Sequence, residues 1–246
     1  MKKLLSIALC AAAITSFADD PSVEIADLGV TVVTIPANQQ NTIIAASFND
    51  VATPANGVSI NNLIKTATGL AKDDQLMIIR NGSYQTWKWN GTAWEKPTTV
   101  GEGATALEPT TTVTQGEGIW FVRSTAEGEA ITLVLYGAYV SSGSKSLSAK
   151  AWNLVGNASI KDLTFTDNNA PAVGDRCVLV ESGKLVEYTY ESAEKGWLYR
   201  TTELVDDQVI GGKVQKQTIN YKATLTVAPG VGFWYYTDNL GKTISF

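Results

Sequence analysis

Residues 75–95, QLMIIRNGSYQTWKWNGTAWE, decide the fold. Leu76-Met77-Ile78-Ile79 suits a pleated surface, and Asn81-Gly82 stops the run. Asn and Gly both tolerate the positive φ that a two-residue type I′ hairpin turn needs. Tyr84 to Trp89 returns as a second strand, Asn90-Gly91 turns again, and Thr92-Ala93-Trp94 begins a third. The stretch therefore reads as a three-stranded meander.

A second copy starts at Asp175. Ser182-Gly183 lies 101 residues after Asn81-Gly82, and at that offset Leu76 meets Cys177, Ile78 meets Leu179, Trp87 meets Tyr188, Trp89 meets Tyr190 and Asp74 meets Asp175. The turn fixes the register: Leu76 faces Trp87 and Ile79 faces Tyr84, while Cys177 faces Tyr188 and Val180 faces Leu185. A slip by one residue would turn both apolar sets outward, so the shared pattern specifies the pairing. Ile60-Asn61-Asn62-Leu63 matches Ile160-Lys161-Asp162-Leu163, Trp94 matches Trp197, and Gly116-Glu117-Gly118-Ile119-Trp120 matches Gly230-Val231-Gly232-Phe233-Trp234. Ordered matches over four blocks indicate internal duplication.

The expected fold is all-β: two tandem homologous antiparallel β-sandwich or small-barrel domains behind a signal peptide. Met1-Lys2-Lys3, the apolar run 4–14 and Ser16-Phe17-Ala18 make up an export leader over 1–18, cut before Asp19. The first domain covers 19–140 and the second 147–246, with the Ser/Gly-rich stretch 141–146 as linker. In the first domain, 23–25 and 30–35 read as strands, 41–48 as another and 131–139 as a closing apolar strand. One short helix is expected behind Ser59 as N-cap, with Leu63, Ile64 and Ala67 on its apolar side and Gly69 just past its end. Residues 98–112 read as an exposed loop and 203–218 as a polar segment.

Composition bounds the function. The chain has 246 residues, 44% of them hydrophobic and 17% charged, which supports a packed core. Removing Lys2 and Lys3 leaves 17 basic against 24 acidic residues, a net charge of −7, with no histidine. No Lys/Arg cluster offers a surface to nucleic acid, and no segment after the leader is long and apolar enough to span a membrane. Cys177 alone follows the leader, at a position matching Leu76, and reads as a small buried hydrophobe.

Without histidine the Ser-His-Asp and Cys-His pairs and His-ligated metals are excluded. Asp73-Asp74 and Asp206-Asp207 are the visible acidic pairs, but neighbours on a strand point to opposite faces and read as solvated turn residues. Asp167-Asn168-Asn169 lacks the spacing of a calcium loop. Gly116-x-Gly118 is followed by a strand rather than a helix, so it reads as a turn or bulge and not a phosphate cradle. No catalytic, cofactor or metal residue is assigned. The seven tryptophans could serve a sugar platform, but six of them, Trp87, Trp89, Trp94, Trp120, Trp197 and Trp234, lie on repeated strands and read as core.

The Trp152-Asn153-Leu154-Val155-Gly156 opening, the Gly174-Asp175 start of the meander and the Gly-x-Gly-[Phe/Ile]-Trp close resemble a largely uncharacterised family of secreted Gram-negative bacterial all-β repeat modules. The resemblance covers nearly all of the chain after the leader, twice; Thr42-Ile43-Ile44-Ala45 departs from it at the first opening. It implies periplasmic, cell-surface or extracellular placement and carries no catalytic residue. The expected role is a non-enzymatic structural or interaction protein with a protein or glycan partner. A carbohydrate-binding module is the alternative, and an acidic-residue glycoside hydrolase the third reading.

Overall fold

The computed structural model describes residues 28–52, 57–80, 83–95, 112–125, 127–139, 143–207 and 212–246. The expected leader, the strand expected at 23–25, the Asn81-Gly82 tip and all but Thr112 of the loop expected at 98–112 lie outside them. The first half contains β1 (Leu28–Ile35), β2 (Asn41–Ala45), β3 (Val58–Ser59), α1 (Ile60–Leu63), β4 (Ile64–Thr68), β5 (Gln75–Arg80), β6 (Ser83–Trp89), β7 (Trp94–Glu95), β8 (Thr112–Val113), β9 (Gly118–Val122) and β10 (Ile131–Ala138). The second contains β11 (Ser144–Ser146), β12 (Ala151–Gly156), β13 (Leu163–Thr164), a 3-10 turn at Asp167–Asn169, β14 (Arg176–Glu181), β15 (Lys184–Ser192), β16 (Gly196–Asp207), β17 (Gly212–Lys222), β18 (Thr226–Val227), β19 (Gly232–Thr237) and β20 (Thr243–Ser245).

The fold is all-β, built from antiparallel sheets with one short helix. No sheet closes into a barrel among the described residues. One pairing order occurs in both halves. The order β2-β9-β5-β6-β7 in the first is matched by β12-β19-β14-β15-β16 in the second, where β17 adds an outer strand. β3 pairs with β8 as β13 pairs with β18, and β1 pairs with β10 as β11 pairs with β20. The register follows the sequence pattern: Leu76 faces Trp87 and Ile79 faces Tyr84, Cys177 faces Tyr188 and Val180 faces Leu185. Ser182 and Gly183 have φ of 49° and 77°, as the two-residue turn demands.

Each half has its own core. In the first, Leu76, Ile78, Trp87, Trp94 and Phe121 pack with Ile35, Leu133 and Leu135 of the β1-β10-β4 sheet. In the second, Cys177, Tyr188, Trp197, Phe233 and Tyr235 pack with Ile244 of β20. Trp94 faces Trp89, and Trp197 faces Tyr190, at corresponding ladder positions. Alternation on a strand sends every second residue inward, which is why the offset of 101 carries core onto core.

Three segments differ from expectation. The helix is one turn. Ser59 does cap it, its Oγ accepting from the Asn62 amide at 3.3 Å, but Ile64–Thr68 is strand β4, paired with β10. β-branched Ile64, Thr66 and Thr68 fit that ladder, and Gly69 (φ 76°) ends a strand rather than a helix. Ser144–Ser146, part of the expected linker, forms β11, because β20 offers it an antiparallel edge. The polar segment 203–218 falls largely within the β16–β17 ribbon, which pairs continuously from Trp197–Lys222 to Asp207–Gly212. The matched Ile60 and Ile160 also part company: Ile60 is buried and Ile160 is 73% exposed, and in the ladders Val58 corresponds instead to Leu163.

The halves meet in a seam with internal two-fold correspondence. The Ala45 amide donates to the Gly230 carbonyl at 2.9 Å, and the Gly156 amide to the Gly116 carbonyl at 2.9 Å. Ile44 bridges Val231 as Val155 bridges Glu117. Ile43, Leu154 and Trp234 are buried there, flanked by Ile79, Trp120 and Val178. Lys145 reaches across to the buried Glu117 at 2.8 Å.

Trp94→Ala and Trp197→Ala are each expected to cost about 3–5 kcal/mol, since both indoles are fully enclosed. Urea denaturation measures this, and an unchanged midpoint for either variant would remove that ring from the core.

Candidate functional site

The outer face of the second half carries a groove of about 700 Å3 between β15 and β16. Its origin is a break in the sheet. The β15–β16 ladder pairs Ser192 with Gly196, Tyr190 with Trp197 and Thr189 with Leu198, and stops there. β16 runs on with β17 to Asp207, while β15 runs back with β14 to the Ser182-Gly183 turn. The two hairpins thus form a fork. Leu185, Val186 and Glu187 line one arm, and Leu198, Arg200 and Thr202 the other. Leu185, and Ile219 and Tyr221 on β17, are exposed.

Behind the fork, three polar groups seal the core. The Tyr188 hydroxyl donates to Glu181 at 2.7 Å, and the Lys222 ammonium donates to Glu181 at 2.9 Å and to the Tyr188 oxygen at 2.7 Å. Lys222 also lies over the Tyr188 and Tyr199 rings, at 4.7 and 5.5 Å from their centroids. Burial works against the Glu181 charge, but the hydrogen bonds from Lys222 and Tyr188 and the ammonium's charge outweigh it and hold the carboxyl below its ordinary value. Burial works against the Lys222 charge too, and the same partners reverse it, raising its pKa. Burial pushes the Tyr188 hydroxyl up to about 12, against the opposing hydrogen bond from Lys222.

The other carboxylates around the groove also have cations of their own. Glu187 meets Arg176 at 3.5 Å, and Glu191 meets Lys195 at 3.0 Å. Arg176 is itself held over Tyr236 and Trp152, at 4.3 and 4.9 Å from the ring centroids. Lys184 and Arg200, which line the groove, make no ion pair among the described residues.

The residues weighed from the sequence lie elsewhere. Asp74 is buried, not solvated: its carboxylate accepts from the Ala71 amide at 2.9 Å and from the Ser124 amide at 2.8 Å. Its counterpart Asp175 accepts from the Ala172 amide at 2.9 Å and from the Tyr235 hydroxyl at 2.6 Å. Both carboxylates thus serve the turn that opens each meander, where Asp73 (φ 68°) and Gly174 (φ 90°) supply the left-handed residue. Burial and the bond to Asp175 raise the Tyr235 pKa. The Asp206 and Asp207 backbones lie in the β16–β17 ribbon. Asn169 clamps the Ser245 backbone, donating at 2.9 Å and accepting at 2.8 Å. Among the described residues no group of three His, Cys, Asp or Glu side chains could hold a metal.

Cys177 is fully buried, and burial raises its thiol pKa well above the ordinary value. Trp87, Trp94, Trp197 and Trp234 are buried, and Trp89, Trp120 and Trp152 half-buried. Exposed Tyr84 leans on Trp120 and Trp234 with ring planes at 52° and 70°, and Trp152 meets Tyr236 at 58°, so these rings do not form a flat platform.

The groove itself was missed from sequence. Gly211-Gly212, midway between two runs containing Thr, Val, Ile and Tyr, was the available hairpin signal.

The Glu181–Tyr188–Lys222 group predicts a pH dependence. The fold favours the protonated Tyr188 hydroxyl. Its contribution is therefore complete below the ordinary value of 10.0 and is lost as pH rises through about 12. Lys222 acts in the same direction; Glu181, held low, contributes above its ordinary value and loses that contribution in acid. The stability gap between wild type and Tyr188→Phe, followed by urea denaturation, is expected to shrink above pH 10, and a constant gap would show that the hydroxyl is not tied into the fold. Comparison with models of known families, with curated proteins and with solved structures returns no match, so the function rests on the chain's own residues.

Proposed function

We propose that the protein is an exported, non-enzymatic structural or interaction component of the cell envelope or exterior, made of two tandem modules of one β-fold. The observation that carries this reading is where the aromatic and acidic side chains are used. The tryptophans build two cores and the seam between them, and the acids Glu181, Glu187 and Glu191 at the groove each hold a neighbouring cation. A general acid needs a carboxyl held protonated near neutral pH, and Glu181 is shifted the other way. The recurring strand order supports the modular reading, and the leader at 1–18 together with the motif resemblance supports export.

Two measurements test the proposal. In its native bacterial host, the mature chain is expected to begin at Asp19 by mass spectrometry, and retention of Met1 would count against export. On a polysaccharide array scored for binding and for reducing-end release, no release is expected. Reproducible release, lost when one named Glu or Asp becomes Ala, would overturn the non-enzymatic reading, and binding without release would favour a carbohydrate-binding module.

A further inference from the structure

We infer that the fork between β15 and β16 is a docking slot for an extended, acidic polypeptide segment of a partner protein, which adds a strand to the second-half sheet. This rests on the reading of the chain as an interaction module and names the partner's chemistry.

The backbone carries the first part. In an antiparallel pair, successive residues turn their N–H and C=O groups alternately toward one neighbour and the other. Glu181 and Lys184 close the two-residue turn on each other. Val186 and Tyr188 then direct their groups to β14, and Leu185, Glu187 and Thr189 direct theirs toward β16. Thr189 meets Leu198; Leu185 and Glu187 have no ladder partner on that side among the described residues. On β16, Arg200 and Thr202 lie two and four residues beyond Leu198 and turn the same way, away from β17. Among the described residues, donors and acceptors without a ladder partner therefore line both arms of the fork. Backbone groups without partners are costly unless solvated or paired, and a strand is the ligand that pairs them in series. The groove volume, about 700 Å3, lies in the range of small-ligand sites.

The side chains carry the second part. Leu185, Val186 and Leu198 give apolar contact for alternate residues of an incoming strand. The local carboxylates are paired with Lys222, Arg176 and Lys195, whereas Lys184 and Arg200 have no ion-pair partner among the described residues. A chain of net charge −5 thus presents a locally cationic slot, which selects carboxylates on the incoming segment. The first half has no described counterpart, since β7 ends at Glu95.

The test uses amide hydrogen exchange on the full chain and three synthetic probes: a peptide alternating valine and threonine with interspersed glutamates, its lysine-for-glutamate counterpart, and the glutamate peptide with alternate backbone nitrogens methylated. In the free protein the amides of Leu185, Glu187, Arg200 and Thr202 are expected to exchange faster than those of Thr189 and Leu198. The glutamate peptide is expected to protect them, the lysine and methylated peptides to fail, and the K184E/R200E double variant to bind at least about tenfold more weakly. Both substituted side chains are exposed, so the variant is expected to keep the wild-type denaturation midpoint. Amides already protected in the free protein, or equal binding of the methylated peptide, would overturn the slot. Such a result would leave the non-enzymatic reading standing, and sugar release on the array would sink that reading without altering these exchange rates.

Discussion

The close approach of two backbone corners sets the arrangement of everything else. Gly118 and Gly232 sit where the halves touch. A Cβ on Gly118 would lie 2.8 Å from the Val155 carbonyl oxygen, and one on Gly232 would lie 2.5 Å from the Ile43 side chain. Because neither residue has a Cβ, the reciprocal bonds from Ala45 to Gly230 and from Gly156 to Gly116 can form. Those bonds place Ile43, Leu154 and Trp234 against each other, giving the molecule a third apolar cluster beside its two cores. At about 25 cal/mol per Å2 of buried apolar surface, such a cluster couples the halves more firmly than an ion pair such as Lys145–Glu117 can.

The same packing explains why the charges lie where they do. Core-facing positions on β14, β15 and β16 are taken by Cys177, Tyr188 and Trp197, and the charged residues Lys184, Glu187 and Arg200 stand exposed. Lys222 covers the end of the core with its ammonium, which bonds Glu181 and lies over the Tyr188 and Tyr199 rings as a cation–π contact. Arg176 does the same between Trp152 and Tyr236.

Much of the fold could be read from the sequence because two-residue turns and alternation are local. Ser182-Gly183 and the pairs Leu76–Trp87 and Cys177–Tyr188 needed no tertiary information. Ile64–Thr68 was misread as helix because Ser59 is a genuine cap, and the partner that makes the segment a strand, β10, lies more than sixty residues away. The β16–β17 ribbon was hidden because its sequence from Arg200 to Thr218 is mostly polar and shows no sustained apolar alternation. The fork could not be read at all: it is the absence of pairing between strands whose sequences permit pairing. Asp74 and Asp175 were visible as a repeated pair, but their burial follows from a turn geometry that composition does not reveal.

The outer strand of the six-stranded sheet has a consequence for solubility. Among the described residues β17 is a sheet edge, and a long uncovered edge is a template for pairing between molecules. Lys213 and Lys216 are exposed on this one, so a second chain approaching it in crowded surroundings would have to desolvate ammonium groups to form a ladder. Lys213 and Lys216 would thereby work as gatekeepers, opposing outward growth of the sheet.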